Sequence, residues 1–263
     1  MLFDTHCHLD APEFDADREE VLMSARRADV GGFVVPSVDV RSLETVRGCC
    51  RRYPGCFPAY GIHPLRVDAA GDHDIEALRA WFERESRSDN PPVAVGEIGL
   101  DFFFPGSDVA RQECFFVEQL KLAEDLDLPV LLHVRRSVDR VLKFIRHSKV
   151  RRGIAHAFNG SFQQAEQFIS LGFCLGFGGA MTFPGARRIR ALAADLPLDT
   201  LVLETDAPYM SPAWLFEGAS RQRNSPDQLP KIAAFLANLR GITPEEIISS
   251  TTRNARLCLR LTR

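Results

Sequence analysis

Eight short apolar runs recur along this sequence: Leu2-Phe3, Phe33-Val34-Val35, Cys56 to Ile62, Val93-Ala94-Val95, Pro129 to Leu132, Ile154-Ala155, Phe173 to Phe177 and Leu201-Val202-Leu203. Their spacing, roughly 20 to 36 residues, is that of a strand followed by a helix and its connections. Runs without polar alternation suit parallel strands covered on both faces. The intervening stretches carry apolar residues at helical spacing, clearest at Glu19 to Ala28, Gln112 to Leu126, Asp139 to Ile145 and Gln163 to Leu171. Pro129 follows Asp127-Leu128 and ends the second of these patterns before the next strand. Eight such units in 263 residues predict an α/β fold of one kind, a single (β/α)8 TIM barrel, which takes about 250 residues. The competing open, doubly wound sheet would place a glycine-rich phosphate loop after its first strand. Asp4-Thr5-His6-Cys7-His8 stands there instead. No linker or low-complexity segment interrupts the pattern, so residues 1–263 read as one barrel.

Composition narrows the function classes. With 45% hydrophobic and 25% charged residues the chain is expected to be globular. A formal net charge of -3 excludes a protein that coats nucleic acid by bulk basicity. It does not exclude a nucleic-acid substrate. No apolar run approaches a membrane span, and with no basic stretch followed by an apolar one near Met1 no secretory signal is expected. Seven cysteines without a C-x-x-C are expected to be mostly buried, reduced thiols in a cytoplasmic protein. No membrane contact and no obligate protein partner is expected.

Chemistry in a parallel barrel sits at the carboxyl ends of the strands. The residues read off there are Asp4 to His8, Pro36-Ser37, His63-Pro64, Gly96 to Asp101, His133 with Arg135, His156, Gly176 to Gly179, and Glu204-Thr205-Asp206. Five of the seven histidines fall at these ends; His73 and His147 lie in polar contexts and receive no role. His6 and His8, two apart on extended chain, face the same side. An isolated His-x-His is as often a packed pair as a chelate. Here a strand-four carboxylate, further strand-end histidines and a strand-eight aspartate accompany it. Imidazole and carboxylate are the usual ligands of catalytic divalent ions, and a bridging carboxylate is enough for two of them. Asp206 is placed to hold one ion and to accept a proton from the attacking water. The bland reading of Glu97 and Glu204, a buried salt bridge, stays beside this one.

Phe3-Asp4-Thr5-His6-Cys7-His8-Leu9-Asp10, Gly61-Ile62-His63-Pro64, Val95 to Asp101, Leu128 to Arg135 and Leu203 to Tyr209 resemble, in order and over essentially the whole chain, the TatD family of metal-dependent hydrolases. The resemblance implies a TIM barrel of the amidohydrolase-like superfamily. It also implies a divalent-metal-dependent deoxyribonuclease with 3'-5' exonuclease action on single-stranded DNA and RNA. It places metal ligands on His6, His8, Glu97, His133, His156 and Asp206. Glu97 would bridge two ions of magnesium, manganese or zinc; His6, His8 and Asp206 would hold one, His133 and His156 the other. Glu97 and Asp206 would be the catalytic carboxylates, and His63 a phosphate or substrate contact. Arg223-Asn224-Ser225-Pro226 resembles a structural motif of the family. Where many nuclease members carry Tyr-Arg after Gly-Leu-Asp-Phe, this chain has Phe103-Phe104.

Two activities share such a metal pair: cleavage of nucleic acid, and hydrolysis of a small amide or phosphoester. A nucleic-acid substrate is favoured by Arg135, Arg136, Arg140, Lys143, Arg146, Lys149, Arg151 and Arg152, set against the single acid Asp139. From Arg146 onward these are expected on the outside of the barrel. Arg135 is the expected substrate contact. Phe102, Phe103 and Phe104 could stack an unpaired base or pack as an ordinary loop.

Overall fold

The computed structural model describes residues 1–71, 73–218 and 220–261. Its main sheet holds eight parallel strands in sequence order. They are β1 (Leu2–Asp4), β2 (Val30–Pro36), β3 (Cys56–Tyr60), β4 (Ala94–Asp101), β5 (Val130–Arg135), β6 (Gly153–Ala155), β7 (Phe173–Phe177) and β8 (Leu201–Leu203). Nine helices alternate with them among the described residues: α1 (Arg18–Arg27), α2 (Leu43–Arg52), α3 (Asp74–Glu85), α4 (Val109–Leu126), α5 (Val138–His147), α6 (Phe162–Ser170), α7 (Arg187–Asp195), α8 (Leu229–Arg240) and α9 (Pro244–Cys258). The sheet curls into a nearly closed barrel. Thr5 N–H donates to Leu203 O at 3.0 Å, which brings β1 against β8. The expected TIM barrel is the observed fold.

The strand period of two builds the interior in layers. Phe3, Val34, Ala59, Ala94, Leu131, Ile154 and Val202 form one apolar cluster with Ala255 and Cys258 of α9 and Leu259 just beyond it, and this helix stoppers the amino-terminal end. The opposite faces of the strands pack on the helices. Two residues further along the same inward faces stand His133, His156 and Glu204. The polar centre is therefore one layer above a dry floor.

Several strand bounds differ from the sequence expectation: β2 begins earlier, at Val30, β3 stops at Tyr60 rather than Ile62, and the largest changes are in β4 and β5. β4 runs through Glu97 to Asp101 rather than stopping at Val95, and β5 includes His133 and Arg135. The glycines that read as breaks are there for close approach. Gly99 has φ +143°, and a Cβ on it would strike the His133 carbonyl of the neighbouring strand. All seven cysteines are unpaired, five of them buried, as expected. Among the described residues no helix is long and apolar enough to cross a membrane.

Candidate metal centre

Glu97 lies at the middle of the polar layer, and its two oxygens face different partners. Oε2 is 3.2 Å from His6 Nε2 and 3.8 Å from His8 Nε2. Oε1 is 2.8 Å from His133 Nδ1, 3.0 Å from His156 Nε2 and 3.4 Å from His63 Nε2. Asp206 Oδ1 completes the first side, 3.6 Å from His6 Nε2 and 3.5 Å from His8 Nε2. All six expected ligands thus converge. The assignment of histidines to two separate sides is less clean than the resemblance implied, because the His156 ring stacks on His6 with centroids 4.0 Å apart. His6, His156 and Asp206 bring ligand atoms within 4.8 Å of one another, as His6, His8 and Glu97 also do.

Hydrogen bonding alone does not satisfy this cage. The Nε2 atoms of His6 and His8 face each other at 3.3 Å, and His6 Nδ1, His156 Nδ1 and Glu204 Oε2 are buried without a hydrogen-bond partner. Four imidazoles and two carboxylates around a common space are the donor set of divalent transition ions and magnesium. The residues present fit such ions.

The electrostatics point the same way. Burial would raise the Glu97 carboxyl, but His63, His156 and His6 around it hold it well below the ordinary carboxylate range. Burial pushes Asp206 up to about 8. It pushes His6 down to about 4 and His8 down to about 3, helped by the neighbouring imidazoles. Burial opposes charge on His156 as well, yet Glu97 and Glu204 raise it well above the ordinary histidine value. One cage therefore holds carboxyls displaced in opposite directions and imidazoles displaced in opposite directions, each by burial and by the charges of its neighbours, and such displaced groups cluster at functional sites.

The histidines are aimed by carboxylates to which the sequence reading gave no such role. Asp101 Oδ2 accepts from His133 Nε2 at 2.9 Å, leaving Nδ1 toward Glu97. Glu204 Oε1 is 3.7 Å from His156 Nδ1 and accepts the Ala157 N–H. Such outer carboxylates fix the tautomer and raise the basicity of a ligating imidazole. Gly176 makes room for Glu204, since a Cβ there would collide with Oε2. Asp4 ties the first and last strands together: Oδ2 accepts the Thr205 hydroxyl at 2.6 Å, and Oδ1 accepts the Thr205 N–H at 2.9 Å. Asn224 donates to Thr205 O and Tyr209 O, both at 2.8 Å, and so holds the Asp206 loop, where Asp206 itself sits at φ +54°.

Helix α4 supplies two more clamps. Gln112 accepts from Asp101 N–H at 2.8 Å and donates to Asp101 O at 3.1 Å. Gln119 does the same to Ile62, beside His63, at 2.7 and 3.1 Å. A buried amide satisfying both polar atoms of one peptide fixes that peptide in position and orientation.

His63 is of another kind. Its Nδ1 accepts the Leu65 N–H at 3.0 Å, so in the neutral ring the proton is on Nε2, which points at the cage. In that form His63 donates a hydrogen bond and does not offer a lone pair to an ion. Arg135 stands at the rim, half-exposed, 3.8 Å from Asp101 Oδ2. Arg140 pairs with Glu113 and Arg146 with Gln167 on the outer surface. The basic segment thus leaves the pocket earlier than expected, after Arg136. His73 is an exposed residue ahead of α3, and His147 ends α5 on the outside.

The family model described as TatD related DNase matches residues 3–260. A metal-dependent hydrolase of Escherichia coli K12, YjjV, uncharacterized by name, is 41% identical over 252 residues, 95% of each chain. A protein of Cronobacter sakazakii named 3'-5' ssDNA/RNA exonuclease TatD is 36% identical over 259 residues, 97% of this chain and 96% of its own. The crystal structure of YjjV superposes with a TM-score of 0.92 at 38% identity, covering 99% of this chain and 98% of that one.

Proposed function

The chain belongs to the TatD-related DNase family of metal-dependent hydrolases, and from that premise we propose that it is a 3'-5' exonuclease acting on single-stranded DNA and RNA. The observation that carries the reading is Glu97, which turns one oxygen to His6 and His8 and the other to His133 and His156. A carboxylate so placed could be shared by two divalent ions, magnesium, manganese or zinc by the chemistry of the donors. His6, His8, Glu97, His133, His156 and Asp206 would hold them. Bound ions supply Lewis acidity toward the phosphoryl oxygens and lower the pKa of water.

The residues of the chain do the rest. Asp206, beside His8 in the buried cage, accepts the proton of the attacking water in its ionised form. His63 donates its Nε2 proton to a phosphate oxygen. Arg135 meets the adjoining phosphate with a planar pair of donors. Asp101 and Glu204 hold their imidazoles in place while charge shifts. The family relationship, the exonuclease name of the Cronobacter relative and the basic rim support a nucleic-acid substrate. The free thiols suit a reducing cytoplasm.

The test is degradation of end-labelled single-stranded DNA and RNA, blocked at either end, by purified protein with magnesium or manganese. Loss of label from the free 3' end, abolished by chelator and by Asp206→Asn, is expected. Turnover of small esters or amides with intact oligonucleotides would replace the nuclease reading with that of a small-molecule hydrolase.

A further inference from the structure

Every exposed aromatic side chain among the described residues lies on the carboxyl-end face of the barrel. Phe103 and Phe104 follow β4, Phe162 opens α6, and Tyr209, Trp214 and Phe216 follow β8. The rest of the described surface has none, although the chain holds 19 phenylalanines. Exposed aromatic area confined to one face marks a binding surface.

The β4–β5 corner of that face is organised further. Phe103 and Phe104 are 38% and 47% exposed and meet edge to face at 5.1 Å. Arg135 Cζ lies 3.6 Å from the Phe103 ring centroid and Arg136 Cζ 4.6 Å from it. Neither guanidinium makes a hydrogen bond among the described residues. Arg135 has only the 3.8 Å contact to Asp101. Arg136 stands at φ +57°, an uncommon conformation for a residue other than glycine. A guanidinium lying on an aromatic ring has its plane fixed and its N–H edge free, which is how arginine presents itself to phosphate.

Asp101 connects this corner to the metal centre. Its Oδ1 accepts the Phe103 N–H at 2.8 Å, while its Oδ2 faces His133 at 2.9 Å and Arg135 at 3.8 Å. One buried carboxylate thus positions an imidazole of the cage, the aromatic pair and the arginine together.

The geometry points to a nucleotide subsite at this corner, in which Phe103 and Phe104 stack an unpaired base and Arg135 and Arg136 hold the phosphate beside it. The inference rests on the nuclease reading and adds to it a reason for single-strand preference. A base can lie on Phe103 or Phe104 only when it has left its duplex partner. Stacking is indifferent to base identity, because every base has a π face. The subsite therefore selects unpaired nucleotides without selecting sequence.

The test uses the holoenzyme with magnesium and two substrates, a thymidine tetranucleotide and its analogue with tetrahydrofuran in place of every nucleoside. The wild-type protein is expected to favour the base-bearing substrate by about tenfold or more in kcat/KM. Phe103→Ala/Phe104→Ala is expected to erase that preference, and Phe103→Tyr to retain it. An oligonucleotide containing 2-aminopurine gives a readout apart from cleavage. Its emission, followed on mixing and before turnover, changes with the wild type and not with the double variant. Equal use of both substrates by the wild type overturns the subsite, as does a preference and an emission change that survive in the double variant; cleavage of DNA would stand in either case. Failure to bind or cut either oligonucleotide, with small esters turned over, overturns the subsite and the nuclease reading together.

Discussion

The two ends of the barrel are built from the same strands and obey opposite rules. At the amino-terminal end, Leu131, Ile154 and Val202 meet α9 in a dry layer. The charges there are paired on the surface, the terminal amine with Asp29 at 3.0 Å and Arg260 with Asp127 at 2.7 Å. At the other end, two residues along the same strands, His133, His156 and Glu204 crowd into a polar layer in which His6 Nδ1, His156 Nδ1 and Glu204 Oε2 are buried without a hydrogen-bond partner. Asp29 and Asp127 take positive φ where helices end, whereas Arg136, Ala157 and Asp206 do so where strands end and side chains must be aimed. The difference teaches that the floor secures the fold and the rim holds the misfit that chemistry needs.

That division can be broken by mutation. The largest effect is expected from Glu97→Gln. The shared carboxylate loses its charge, bound divalent metal falls, and activity drops by more than the roughly 100-fold upper range for an outer partner. Thermal melting of the metal-free variant should fall below that of the metal-free parent, since the imidazoles that hold Glu97 ionised lose their counter-charge; elemental analysis and calorimetry on one preparation check both. Leu131→Ala tests the converse, with about 2–5 kcal/mol of stability lost in denaturant titration but kcat retained well below melting. An activity collapse without lost stability would show that floor and rim are not separable. Asp101→Asn sharpens the boundary, because it frees His133 without removing a ligand. A loss of about 10- to 100-fold in metal affinity or activity, read by metal titration, is expected. The smallest effect belongs to Arg260→Ala. Its exposed pair with Asp127 is expected to shift melting by no more than about 2 °C and to leave activity unaltered.

Much of this was legible in the sequence because parallel strands are written as apolar runs and their ends as sudden polar residues. All eight strands and all six converging side chains could be read that way. The length of β4 could not, because Gly96 and Gly99 look like breaks until the neighbouring strand is in place. Nor could the roles of Asp101 and Glu204, since a carboxylate that aims a histidine is spelled like one that binds an ion. Gln112 and Gln119 were hidden more thoroughly. Amides in an amphipathic helix read as solvent-facing, and only the fold shows them turned inward. Phe103 and Arg135 are far apart in sequence and adjacent in space because Asp101 pairs in register with Arg135.

The two glutamines of α4 also bear on how this chain can change length. They stand seven residues apart, close to two helical turns, so both face the barrel. One residue inserted or deleted between them would swing one amide about 100° away from its strand. Either Ile62 or Asp101 would then lose both hydrogen bonds at once. Residues 112–119 should therefore behave as a fixed ruler, intolerant of insertion, while the segment from Tyr209 to Gly218, at the edge of the mouth, is where added length is absorbed and substrate range can diverge.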